Sequence, residues 1–192
     1  PWFADFYSPF LPAAFGLCGF KAENLPPSDQ CSAEYGLKYS NNEICYPATL
    51  VVGDFIKALS SGKYRRDEIA LGISQTGGQC RATNYITLLK KAMISVGFED
   101  IPVISISMGD GIINEQPGFN IKWRKVYKSV ITCIVYADYL SQMYYATAPR
   151  EIEKGAAERL KNKYIQLGIQ AVSDNDADRF YDLAKAAANE FD

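Results

Sequence analysis

Apolar and polar residues follow two different periods over residues 1–107, and the switches between them mark out elements. Trp2 to Tyr7 reads as a first strand. Ser8-Pro9 then supplies a cap and a first helical residue for a segment running to Leu17. Phe20 to Asn24 reads as a short second strand, followed by the loop that starts Leu25-Pro26-Pro27-Ser28. The segment from there to Glu43 is irregular in pattern, with glycine, serine and asparagine interspersed. Pro47 opens a helix to about Ser60, with Leu50, Phe55, Ile56 and Leu59 as core candidates and Gly62 as its end. Ile69 to Ser74 is a third strand. Thr83 to Val96 is a helix with Ile86, Leu89 and Met93 on one face, closed by Gly97. Val103 to Ser107 alternates like a fourth strand, one that would be fully buried.

Four strands joined by helices or long crossovers predict an α/β fold. The expected form is a three-layer, Rossmann/flavodoxin-like domain with a roughly four-stranded parallel sheet in the order 2-1-3-4 and right-handed connections. In such sheets ligands gather at the carboxyl ends of the strands. After Gly118 the character changes. Ile121 to Thr147 is apolar and aromatic without glycine or proline, Pro149 starts a helix to about Leu167, and Ser173 or Asp174 caps a last one over Asp176 to Phe191. The expected division is therefore an α/β domain over 1–112 and a helical extension over 113–192, packed on it or on a neighbouring domain. The aromatic stripe Trp123, Tyr127, Tyr136, Tyr144 and Tyr145 reads as core. The basic cluster Lys122, Arg124, Lys125 and Lys128 reads as a solvated face, although a cofactor's phosphates would also fit it.

Composition narrows the chemistry. The chain has 192 residues, enough for one sizeable core, with 48% hydrophobic and 22% charged residues. A formal net charge of -2 argues against nucleic acid as a general partner. No apolar run reaches about 18 residues, so no membrane span is expected. The chain begins Pro-Trp-Phe with neither Met nor a signal pattern, and so reads as a piece of a longer protein. It holds no histidine, which removes Ser-His-Asp triads, Cys-His pairs and His-based zinc sites. Its five cysteines, Cys18, Cys31, Cys45, Cys80 and Cys133, lie at wide, irregular intervals. That pattern fits neither a disulfide scaffold nor a zinc ribbon, and implies a reducing cytoplasm with mostly buried thiols.

The stretch ISQTGGQCRATNY, Ile73 to Tyr85, holds the densest candidate chemistry. A glycine pair between strand and helix is where a phosphate loop would sit, which makes Gln75, Thr76, Gly77, Gly78 and Arg81 candidate cofactor contacts. Yet the loop lacks the Lys-Ser/Thr ending of a Walker A motif and the spacing of a dinucleotide loop. Cys80 falls near the start of the following helix, and Cys45 holds the same position before Pro47. Unsatisfied N–H groups and the dipole at a helix N-terminus favour a thiolate over a thiol. Two such cysteines at one sheet edge are candidate metal ligands, for an iron–sulfur cluster above all. Cys133 inside an apolar helix, Cys18 just after a helix and Cys31 in an irregular loop read as structural.

NNEICYPATLVVGD, SQTGGQCRATNY, the strand Pro-Val-Ile-Ser-Ile-Ser and NEQPGF together resemble the activase-related proteins of the 2-hydroxyglutaryl-CoA dehydratase system, over Phe6 to about Arg150. The resemblance implies an internal, dehydratase-subunit-like fragment of a multidomain protein, with flavodoxin-like α/β folding. It also implies low-potential electron transfer to a cluster for radical dehydration of a 2-hydroxyacyl-CoA, or a related reduction. Carried over, it makes Cys45 and Cys80 cluster ligands and leaves any third ligand outside the fragment. No ATP site of the activators has a counterpart here. The implied partners are other domains of the same polypeptide, an acyl-CoA, or a dehydratase or reductase; neither nucleic acid nor membrane is expected, and a homodimer is compatible. Two alternatives stand beside this reading: a non-catalytic α/β interaction domain, and an acyl-CoA site in which Arg81 or the basic helix holds phosphates.

Overall fold

The computed structural model describes residues 1–2, 4–41, 43–75, 80–107, 119 and 123–192. The chain divides into two compact units, one of Pro1–Trp2 and Leu25–Asn120, the other of Phe3–Asn24 and Ile121–Asp192. Among the described residues there are seven α-helices and two strands. The four-stranded, three-layer Rossmann/flavodoxin-like sheet expected from the pattern is therefore not formed, and the protein is mostly helical.

The first unit contains α2 (Gln30–Tyr39), α3 (Tyr46–Ser60), β1 (Leu71–Gln75), α4 (Tyr85–Ser95) and β2 (Val103–Ser107). The two strands pair in parallel, from Leu71 opposite Val103 to Gln75 opposite Ser107. A parallel pair needs a crossover, and α4, which lies between the two strands in the chain, belongs to it. One sheet face carries Leu71 and Ile73, which pack with Val52, Phe55, Ile56 and Leu59 of α3 and with Leu89, Ala92 and Met93 of α4. Helix α4 ends where expected: Gly97 takes φ +74°, and the Phe98 and Gly97 N–H groups close a Schellman motif onto the carbonyls of Met93 (2.9 Å) and Ile94 (3.2 Å).

Helix α2 was not expected, because its stretch contains an interior glycine and few large apolar residues. It is specified by capping and by contact. The Asp29 carboxylate accepts from Ser32 N–H (2.8 Å), while Ser32 Oγ accepts from Asp29 N–H (3.2 Å), forming a capping box. Lys57 of α3 donates to both Asp29 Oδ1 (2.9 Å) and Ser32 Oγ (2.7 Å), tying the cap to the neighbouring helix. Gly36 and Gly53 let the two backbones meet. A Cβ on Gly53 would lie 1.8 Å from the Ser32 carbonyl oxygen, and one on Gly36 2.1 Å from that of Thr49.

The second unit packs α1 (Leu11–Leu17), α5 (Trp123–Thr147), α6 (Ala156–Ser173) and α7 (Arg179–Phe191) together. Here the expected first strand, Trp2 to Tyr7, is replaced. Tyr7 is in the right-handed helical region, and a 3-10 turn spans Ser8–Phe10. Phe6 and Phe10 explain the change: four residues apart, both are buried in this unit's core, at 5% and 3% exposure. The turn that seats them is closed by the Tyr7 and Ser8 N–H groups, which both donate to the Ala4 carbonyl (3.2 and 2.9 Å). The expected second strand, Phe20 to Asn24, is also absent. None of its residues is buried, so no core holds it in a sheet, and the Asn24 side chain donates instead to the Ser8 carbonyl.

Tyr136 sits at the centre of the core. Its ring lies 6.4 Å from that of Phe10 and 5.1 Å from that of Phe180, and its hydroxyl donates to the Tyr164 carbonyl (2.8 Å). Gly168 of α6 leaves room for these rings, since a Cβ there would lie 2.8 Å from both Phe10 and Tyr136. The aromatic stripe read as core therefore splits. Tyr136 is 3% exposed, but Tyr127 is 56% and Tyr145 65% exposed. Two helix starts also move. Pro149 belongs to a 3-10 turn at Ala148–Arg150, and α6 begins only after Gly155, whose φ is +83°. The Glu151 carboxylate accepts from the N–H groups of Gly155 (2.6 Å) and Ala157 (3.1 Å), which holds it below the usual carboxylate range. Helix α7 starts at Arg179, whose N–H is taken by the Asp176 side chain (3.1 Å). Among the described residues no helix is long and apolar enough to cross a membrane.

Candidate functional site

Cys45 is the N-cap of α3, with extended backbone (φ -64°, ψ 142°), and its carbonyl accepts from Ala48 N–H at 3.0 Å. Pro47 in the first turn costs nothing there, since its missing N–H would have had no intrahelical acceptor. Cys80 caps a 3-10 turn, Arg81–Asn84, that runs directly into α4. Its sulfur accepts from Ala82 N–H at 3.5 Å, and its carbonyl from Thr83 N–H at 3.1 Å. Both cysteines thus stand at helix starts, Cys45 half-buried and Cys80 exposed.

Tyr85, the first residue of α4, connects them. Its hydroxyl lies 3.2 Å from Cys45 Sγ. Its phenol is pushed up to about 12, first by burial, then by the Cys45 hydrogen bond and charge, and last by the charge of Cys80. Tyr85 closes the ISQTGGQCRATNY stretch but was not singled out as a site residue; its signal was a polar-tipped aromatic on the first turn after a capping cysteine.

The other candidate residues divide. Thr76, Gly77 and Gly78 lie outside the described residues. Gln75 ends β1 and Arg81 opens the 3-10 turn. Of the remaining cysteines, Cys133 is buried and its thiol is pushed up to about 12 by desolvation, which makes it inert. Cys18 is the C-cap of α1. Cys31 is exposed on α2 rather than in an irregular loop, so among the five thiols only Cys133 is fully buried. In the basic cluster, Lys128 pairs with Asp178 (2.9 Å) and Arg124 is exposed, while Lys122 lies outside the described residues.

Among the described residues no group of three or more cysteines and carboxylates is placed to hold a metal ion. A cleft in the helical unit has a volume of about 520 Å³. Tyr139, Met143, Arg150 and Phe191 line it, and neither Cys45 nor Cys80 does. No protein family, no curated protein and no solved structure matches the chain.

Proposed function

We propose that Cys45 and Cys80 are thiolate ligands of an iron–sulfur cluster. The chain would then serve low-potential electron transfer in 2-hydroxyacyl-CoA dehydration or a related reduction, the chemistry of the proteins its motifs resemble. The observation that carries this reading is a contact: the hydroxyl of Tyr85, the first residue of α4 and close in sequence to Cys80, lies 3.2 Å from Cys45 Sγ, so the starts of α3 and α4 are neighbours. The donors fit a cluster in kind. They are two sulfurs at helix starts, one of them accepting a backbone N–H, and hydrogen bonds to cluster sulfurs are a known means of tuning potential. They fall short in number, because a cluster ordinarily takes four thiolates and the described residues bring no third ligand to the pair. The remaining ligands would come from another domain of the same polypeptide or from a partner. When bound, the cluster supplies one-electron chemistry; the chain's own part is to hold two sulfurs and to present the Tyr85 hydroxyl beside one of them.

The test is anaerobic reconstitution with iron and sulfide, reading bound iron and charge-transfer absorbance. Cys45→Ala and Cys80→Ala should each abolish both signals, whereas Cys18→Ala and Cys31→Ala should leave them. Absence of iron from the wild-type chain reconstituted together with the domain or partner that supplies the remaining ligands, or iron indifferent to Cys45 and Cys80, would sink the reading. The incomplete ligand set favours a second one, a non-catalytic interaction domain, and that reading gains if reconstitution fails.

A further inference from the structure

Helix α5 is 25 residues long and apolar on two faces. One face carries Val126, Cys133, Tyr136, Ala137 and Leu140 into the core. The other leaves Tyr127 (56%), Ile131 (57%), Val135 (62%) and Tyr139 (42%) exposed, with Ile134 (48%) beside them. Five exposed apolar side chains on one side of a helix make a patch of the kind that is ordinarily covered, so this second face calls for an occupant.

We infer that α5 pairs antiparallel with the α5 of a second copy of this chain, about a two-fold axis at the level of Cys133. This inference rests on the helical unit alone and is independent of the cysteine site. The order of the exposed residues identifies the occupant. Tyr127, Ile131, Val135 and Tyr139 lie at successive intervals of four and read Tyr-Ile-Val-Tyr, an aromatic at each end and a β-branched residue on either side of the centre. Residues four apart form one of the ridges by which helices interlock, and two such ridges pack at a crossing angle of about -50°. An antiparallel two-fold at Cys133 brings Ile131 against the partner's Val135 and Tyr127 against the partner's Tyr139. The ridge is thus complementary to itself, as an isologous contact requires.

Charge and area agree with this arrangement. The exposed Arg124 and Lys128 lie near the N-terminal end of α5, and Asp138 lies towards its other half. A parallel pair would press the two basic ends together, whereas an antiparallel pair separates them. The five apolar side chains expose on the order of 500 Å² per copy, already at the size of a patch that marks an interaction site. Paired, they would bury about 1,000 Å² in total before any flanking residue is counted, the threshold for a specific contact.

Sedimentation equilibrium of the whole chain, from micromolar to near-millimolar concentration, tests the pairing. The wild type should dimerise. Val135→Glu should weaken the dimer by about 100-fold or more, because each copy places a charge in the other's apolar ridge. Ile131→Glu combined with Val135→Lys should recover much of the dimer, since the axis puts each acid beside the partner's base, and Ile131→Glu with Val135→Glu should not. Ile152→Lys, at a fully exposed isoleucine outside the ridge, should leave the dimer unchanged. Circular dichroism of each variant shows that the helices persist. A wild type that stays monomeric throughout the range overturns the inference, as does a dimer indifferent to Val135→Glu.

Discussion

Gly53→Ala is the sharpest test of how the first unit is held together. The added methyl would sit 1.8 Å from the Ser32 carbonyl oxygen and 2.8 Å from the Gly36 nitrogen. Carbon and oxygen ordinarily approach to about 3.3 Å, so α2 and α3 must part by roughly 1.5 Å at their crossing. Both colliding atoms are backbone, and no rotamer change relieves them. A gap of that size forfeits well over a quarter of the dispersion energy along the contact. It also draws Lys57 away from Asp29 and Ser32, the two groups of the α2 capping box. Overpacking of this kind costs about 3 kcal/mol at the upper end of its usual range, and alanine returns about 1 kcal/mol through its higher helix propensity. The expected net loss is about 2 kcal/mol, concentrated in α2.

Two other glycines calibrate the argument. At Gly168 the added methyl meets ring atoms of Phe10 and Tyr136 at 2.8 Å, and rings can tilt where backbone cannot, so Gly168→Ala should cost less than Gly53→Ala. At Gly16 nothing lies within 4 Å, and Gly16→Ala should be neutral or stabilising by up to about 1 kcal/mol. Urea unfolding combined with hydrogen exchange resolved by segment gives the ranking and locates the loss. Gly53→Ala with wild-type stability and unchanged protection of the α2 amides would refute the close-crossing account.

Three further outcomes follow from individual groups. Asp29 is held down at about 2, first by the Lys57 hydrogen bond; its contribution to capping α2 should be complete above its unfolded value of about 3.9 and fade as pH falls through about 2, read as a carboxyl midpoint by NMR and abolished in Asp29→Ala. Tyr136→Phe removes the donor to the buried Tyr164 carbonyl and should cost about 1–2 kcal/mol in urea unfolding; an unchanged midpoint would mean that the bond contributes nothing. Cys45→Ala should move the Tyr85 phenol down from about 12 without returning it to its ordinary value, because burial is the larger cause. Cys80→Ala should produce a smaller downward shift. Ring NMR resonances followed against pH would show both, and a phenol indifferent to either cysteine would break the link between the two thiols.

What could be read from the amino-acid order was what neighbouring residues decide. The stop at Gly97 is a local matter of φ, and it falls where the pattern put it. Strand β2 begins at Val103 and ends at Ser107, as its alternation implied. Helix α2 was missed because part of its stability comes from Lys57 and from the glycine crossing with α3, more than fifteen residues away in sequence. The first two expected strands failed for a related reason. Short apolar runs fit either period, and for Phe6 the choice was made by Phe10 and by the core formed with residues beyond 130. Sheet order depended on those strands, so the fold class failed with them.

The positions of Cys45 and Cys80 did not depend on sheet order. Each needs only an extended residue followed by the first turn of a helix, and that local grammar survives the loss of two strands. The element that relates them is Tyr85, which reaches Cys45 across forty residues of sequence and which no spacing rule would select. Phosphate loops recruit a lysine to the residues that follow their glycines; here the residues after the glycine pair bring a capping sulfur and then a phenol. Among the described residues, the stretch presents the Cys80 sulfur with a backbone N–H aimed at it, and the Tyr85 hydroxyl beside the Cys45 sulfur. On the proposed reading these sulfurs ligate a thiophilic metal centre, so the decisive measurement on this stretch is bound iron.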